Sequence, residues 1–196
     1  MSTATTNFYN NFSFLYPVID IFLKPQKRIL FQEINRLPAG HLLEIGVGNG
    51  SHLPLYKSHK IIGIDTSASM LEIARRKMHM NIELVQMNGE NLLFQDHVFD
   101  YIVLSHVIAV VNNPEKLLEE TCRVLKPNGT IFILNHFTPG NWLKYIDRGF
   151  SIISKALHFK SLFDINSLNA TKKFRLAREI EFGMFSYFKL LIYNKA

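Results

Sequence analysis

Residues 42–50 read Leu42-Leu43-Glu44-Ile45-Gly46-Val47-Gly48-Asn49-Gly50. Apolar residues lead into one carboxylate, then into glycines at every second position. The run from His41 to Ile45 has the length and apolar character of a buried parallel strand. The glycines fall where such a strand turns toward a helix, and they let the backbone bend tightly and a ligand approach it. The spacing is E-x-G-x-G-x-G, which differs from the G-x-G-x-x-G of dinucleotide binders. Everything else in the chain is placed relative to this turn.

Upstream, residues 7–37 are rich in aromatics (Phe8, Tyr9, Phe12, Phe14, Tyr16, Phe22 and Phe31), with Pro17 and Pro25 interrupting. Two short helices and a third over about 26–36 are expected. Lys24, Lys27 and Arg28 beside Ile21, Phe22, Leu23, Ile29 and Leu30 suit a helix on a membrane surface or over a pocket; packing on the domain's edge is the other reading. Downstream, a short helix is expected over Ser51 to Tyr56 and a second buried strand over Lys60 to Ile64, ending at Asp65. A helix capped within Thr66–Ser69 should run to about His79, with Met70, Leu71, Ile73 and Ala74 inward. Strands are expected over 81–85, 99–104 and 130–134. A helix over Pro114 to Leu125 carries Glu early and Arg123 and Lys126 late, as the helix dipole favours; Pro127-Asn128-Gly129 should stop it. A mainly helical insert over about 141–168 and two strands, 174–182 and 185–193, close the chain.

This alternation predicts an α/β fold: a mostly parallel, seven-stranded sheet with helices on both faces and one antiparallel strand near the C-terminus. Such sheets bind ligands beyond the carboxyl ends of their strands. Gly46–Gly50, Asp65, Asn88–Glu90, Ser105-His106 and Asn135-His136 all fall there. At 196 residues one domain is expected. Its parts are residues 1–37 as a lid or membrane-surface segment, 38–136 as the core, and 137–196 as the substrate-side insert and strand pair. No apolar run reaches the roughly 18–20 residues of a spanning helix. The N-terminus lacks the pattern of a secretory signal, and one cysteine, Cys122, makes no internal disulfide. A cytoplasmic location follows as the expectation. No Cys/His spacing suggests a metal. Charge is uneven: residues 1–140 carry 12 basic and 12 acidic side chains, and 141–196 carry 10 and 4, so the last segment holds the entire net +6. Anionic lipid, nucleic acid or an acidic substrate would suit it, as would plain solvation.

Motif I at 44–50, Asp65, the loop Asn88-Gly89-Glu90-Asn91-Leu92 and the stretch Arg123–Gly129 together resemble class I, Rossmann-like methyltransferases, whose methyl donor is S-adenosylmethionine and whose product is S-adenosylhomocysteine. Asn88 stands where that family often has a carboxylate; its amide oxygen still accepts. Four further stretches, 14–20, 44–56, 105–111 and 134–137, resemble bacterial phospholipid N-methyltransferases, which turn phosphatidylethanolamine into phosphatidylcholine. Ile19 departs from the Tyr that relatives often carry. Quinone methyltransferases share much of motif I, so a quinone or other small acceptor stays open.

The resemblance implies cofactor contacts at Glu44, Gly46, Gly48, Gly50, Asp65, Thr66, Met70, Asn88, Gly89, Glu90 and Ser105. Asp65 accepts from the ribose hydroxyls, although an Asp before a helix also serves as a cap. The chemistry is displacement at a sulfonium methyl, which rests on alignment and needs neither metal nor covalent intermediate. A protonated amine must first lose a proton, and His106 and His136 are the candidate bases. Tyr16 is grouped with them, and Tyr9 is expected in the substrate pocket. Lys144 and Arg148 are candidate partners of a lipid phosphate. The implied partners are a phospholipid and an anionic surface, at the inner face of the cytoplasmic membrane. Nucleic acid is not expected: the fourth strand ends Leu104-Ser105-His106-Val107, without the Asn/Asp-Pro-Pro-aromatic pattern of base amino-methylation, and Cys122 is away from the strand ends.

Overall fold

The computed structural model describes residues 26–77, 82–136, 165–182 and 188–196. Seven strands make one sheet: β1 (His41–Ile45), β2 (Lys60–Asp65), β3 (Ile82–Gln86), β4 (Phe99–Ser105), β5 (Leu125–His136), β6 (Phe174–Glu181) and β7 (Phe188–Lys195). Their order is β3-β2-β1-β4-β5-β7-β6. β1 to β5 pair in parallel, and β7 runs antiparallel to both its neighbours. The sheet is therefore the mostly parallel one the sequence predicts.

Alternation along β1 shows how both faces are covered. Leu42 packs with Ile61, Val103 and Phe132 against Leu30 and Ile34 of α1 (26–34). Leu43 and Ile45 face the other way, with Ile102, Leu104, Ile131 and Ile133, against Leu117 and Leu118 of α3 (Pro114–Val124). All of these side chains are buried, so the strands read as continuous apolar runs. A further helix, α2 (Ala68–Arg75), buries Met70, Leu71 and Ala74. Leu71 and Ala74 pack with Val47 and Leu53, just beyond the glycine turn.

Several expectations are corrected. The segment after the glycines forms only a three-residue 3-10 turn, Leu53–Leu55, with Pro54 at its start. α2 stops at Arg75, short of the expected His79, while its cap is Ser67, inside the expected span, whose hydroxyl accepts from the Met70 N–H. Ile73, expected inward, is 38% exposed, because it lies at the far edge of a stripe centred on Met70, Leu71 and Ala74. α3 ends at Val124, before Pro127-Asn128-Gly129. Buried Leu125 is already extended and paired with Phe99, while Tyr101 pairs with Thr130. The Pro-Asn-Gly stretch bulges out of β5, with Asn128 at φ 60°. β5 also runs on to His136.

Asn113 caps α3 by accepting from the Lys116 N–H, and Pro114 occupies its first turn. At the other end of α3, the Lys195 ammonium of β7 donates to the carbonyls of Cys122 (2.6 Å) and Leu125 (2.7 Å). β6, at the sheet edge, is mostly exposed and charged, and Lys189 of β7 bridges its Glu179 and Glu181. Charged edges of this kind discourage pairing with other chains.

Candidate active site

The carboxyl ends of the parallel strands lie along one edge of the sheet, where the glycine turn follows β1. The N–H groups of Gly46 and Val47 both donate to the Ile64 carbonyl of β2 (2.7 and 3.1 Å). The Gly48 N–H donates to Asp65 Oδ2 at 2.8 Å, and the Ser67 N–H to Oδ1 at 2.9 Å. Asp65 therefore joins the glycine turn to the start of α2. Burial pushes its carboxyl up from the usual range, and the N–H donors of Ser67, Gly48 and Thr66 pull the other way.

Two of the glycines differ in what surrounds them. Gly46 (φ 79°) has Val107 where a Cβ would stand, at 2.2 Å. Gly48 (φ 55°) faces open space, with nothing within 4 Å of that position. Space beside a bare backbone turn, next to a half-buried carboxylate, fits a nucleoside carrying an amino-acid tail.

Glu44, expected to face this space, is 1% exposed. Its Oε1 lies 2.6 Å from His52 Nε2, and its Oε2 accepts from the Tyr56 hydroxyl at 2.8 Å. A carboxylate only accepts, so His52 Nε2 carries the proton. Burial first, then the Glu44 charge and its hydrogen bond, raise the Tyr56 phenol well above its ordinary value, so it stays a donor. Phe31 of α1 backs both partners, with ring centroids 5.8 Å from His52 and 4.7 Å from Tyr56. Sequence reading gave neither residue a role. His52 and Tyr56 lie past the glycine turn, outside the strand that carries Glu44, so no single helix or strand period relates the three.

Beyond β3, the exposed Asn88 accepts from the Glu90 N–H through its own side chain (3.0 Å). Gly89 is buried beside it, and Glu90 is 9% exposed and accepts from the Asn112 N–H at 2.9 Å. Thr66 and Ser105 are half-buried at strand ends, and Met70 is buried in α2. The guanidinium of Arg123 braces the loop that follows. It donates to the carbonyls of Leu92 and Phe94 and to Glu120 and Asp96. The Arg123 bond holds the Glu120 carboxyl below its ordinary range.

His106 follows β4 in the left-handed region (φ 58°), its N–H held by the Leu134 carbonyl at 2.7 Å. Its ring stands edge-on to Phe188 of β7, with centroids 5.6 Å apart. His136 ends β5 and pairs with that same Phe188. The two histidines thus come to one end of the sheet, on neighbouring strands. Tyr9, Tyr16, Lys144 and Arg148 lie outside the described residues. Among the described residues no group of His, Cys, Asp and Glu is arranged to hold a metal, and no helix is long and apolar enough to cross a membrane.

A methyltransferase-domain family matches residues 43–133, the span from β1 through most of β5. The phosphatidylethanolamine N-methyltransferase of Cereibacter sphaeroides is 33% identical over 161 residues, covering 76% of this chain and 79% of that protein. The ubiquinone/menaquinone biosynthesis C-methyltransferase UbiE of Pseudoalteromonas translucida is 33% identical over 132 residues, 62% of this chain and 49% of that protein. A solved methyltransferase of Thermotoga maritima shares the fold with a TM-score of 0.75, over 98% of this chain and 100% of that one, at 21% identity. The chain belongs to the S-adenosylmethionine-dependent methyltransferases, and S-adenosylmethionine is its cofactor.

Proposed function

We propose that the protein is a phospholipid N-methyltransferase, acting on phosphatidylethanolamine and its partly methylated forms at the inner face of the cytoplasmic membrane. The observation that carries this reading is the relative from Cereibacter sphaeroides, which matches along 79% of its length. The quinone relative named above matches along 49%. Asp65 accepts from the ribose hydroxyls, and the backbone at Gly46–Gly50 faces the amino-acid tail. Asn88, Gly89 and Glu90 border the adenine, with Thr66, Met70 and Ser105 around them. The cofactor supplies an electrophilic methyl group. The chain's own task is to hold the acceptor nitrogen in line with it and to remove one proton from an ammonium that is charged at neutral pH. His106 and His136, one on each side of the β4–β5 junction, are the groups proposed to take that proton. Tyr9, Tyr16, Lys144 and Arg148 are proposed for the acceptor's headgroup.

The deciding assay is transfer of labelled methyl groups into extracted lipids, with quinone precursors and transfer RNA run alongside. Label in phosphatidylethanolamine derivatives is expected. Label in a quinone, with none in phospholipid, would overturn the acceptor and leave the methyltransferase standing.

A further inference from the structure

α1 buries Leu30 and Ile34 against the sheet and turns another face outward. Lys27 and Arg28 of α1, Arg36 in the turn after it, and Lys57 line a groove of about 800 Å³ whose wall also includes Phe31 and His52. No carboxylate among the described residues lines this groove. Glu33, on the same helix, answers Arg36 at 3.0 Å but is shared with Arg178 of β6. Arg28 and Lys57 are exposed. A cleft lined by one sign of charge focuses its field and gathers counter-ions. Arginine forks match phosphate oxygens in pairs.

The groove is not purely basic. Leu55, at its rim, is 47% exposed, an apolar shelf beside the cations. Cations next to an apolar shelf suit an amphiphile better than a free anion. Cations without a carboxylate also repel an ammonium, so the zwitterionic acceptor is a poor occupant. We propose that this groove docks the phosphodiester of an anionic phospholipid, through Arg28, Arg36 and Lys57 with Leu55 against the lipid's apolar part. The proposal rests on the membrane-surface reading above and gives that surface a place on the protein.

The test is co-sedimentation of the full chain with phosphatidylcholine vesicles, with and without phosphatidylglycerol. The variant is Arg28→Gln with Lys57→Gln; the control, of equal charge loss, is Lys172→Gln with Lys173→Gln, both exposed near β6. Thermal melts check that each variant folds. A basic side chain near an anionic surface contributes about a fivefold factor, so the groove variant should bind the anionic vesicles roughly 25-fold more weakly. The control should stay within about twofold, because its cations lie outside the groove. Equal losses in both variants would overturn the groove, as would equal wild-type binding to neutral and anionic vesicles. Calorimetry with short-chain phosphatidylglycerol and with inorganic phosphate separates the two phosphate sources; equal heats would overturn the lipid assignment. Methyl transfer into dispersed phosphatidylethanolamine is measured in parallel. Vesicle binding as expected with no methylated lipid leaves the groove and removes the acceptor reading. Methylated lipid with a groove variant that binds like wild type does the reverse.

Discussion

Replacing Tyr56 by Phe removes one hydroxyl and leaves the ring. The ring keeps its edge-on packing against Phe31 at 4.7 Å, so no cavity opens. What is lost is the 2.8 Å donor to Glu44 Oε2. Glu44 is 1% exposed, so water has no easy route to that oxygen. A hydrogen bond to a buried charged group contributes about 1.5–3 kcal/mol. The expected loss for Tyr56→Phe is therefore about 2 kcal/mol, a fall in Tm of roughly 4–8 °C for a domain of this size. Urea unfolding followed by far-ultraviolet circular dichroism measures it, and the m-value should not change. The double variant Glu44→Gln/Tyr56→Phe tests the pairing itself: the two effects should fall short of adding, by at least about 0.5 kcal/mol. Strict additivity, or a Tyr56→Phe protein unfolding at the wild-type midpoint, would refute the claim that this hydroxyl holds the carboxylate.

Asp65→Ala should weaken S-adenosylmethionine binding by about 1–3 kcal/mol, since the N–H groups of Gly48 and Ser67 lose their acceptor together with the ribose; calorimetry reads it. Because burial raises the Asp65 pKa, cofactor affinity should begin to fall, as pH is lowered, at a higher pH than an ordinary Asp would give; titration of affinity against pH checks this. Replacing His106 or His136 with Ala should lower turnover far more than cofactor affinity, if either takes the amine proton. Glu120 has its pKa depressed by Arg123, so its contribution to stability is full above the unfolded value and is lost as pH falls through the depressed one. Arg123→Gln should flatten that acid limb, as denaturation midpoints across pH would show.

β1 to β4 were legible to within a residue or two because buried parallel strands are runs of Ile, Leu and Val, such as Ile61–Ile64, bounded by turn residues. The place of the site was legible for the same reason: once the strands are ordered, their carboxyl ends follow. The His52–Glu44–Tyr56 arrangement was not. It joins residues by polar contacts across a turn, and such contacts leave no period in the sequence. Pro127-Asn128-Gly129 was rightly taken as a break and wrongly taken as a helix stop. Propensity cannot say that buried Leu125 would leave α3 early and pair with Phe99. His106 and Phe188 touch although they are far apart in sequence, a contact that only the placement of β7 creates.

The position of β7 also has a consequence in time. β5 ends at His136 and β7 begins only at Phe188, yet β7 is the strand that lies along β5. A growing chain thus finishes β1 to β5 well before the partner that completes the sheet has been made. Until it arrives, the open edge of β5 offers Ile131, Ile133 and Leu134 with unpaired backbone groups, a template for the wrong neighbour. β7, made after β1 to β5, covers that edge, and loss of β7 should therefore show first as aggregation of newly made protein.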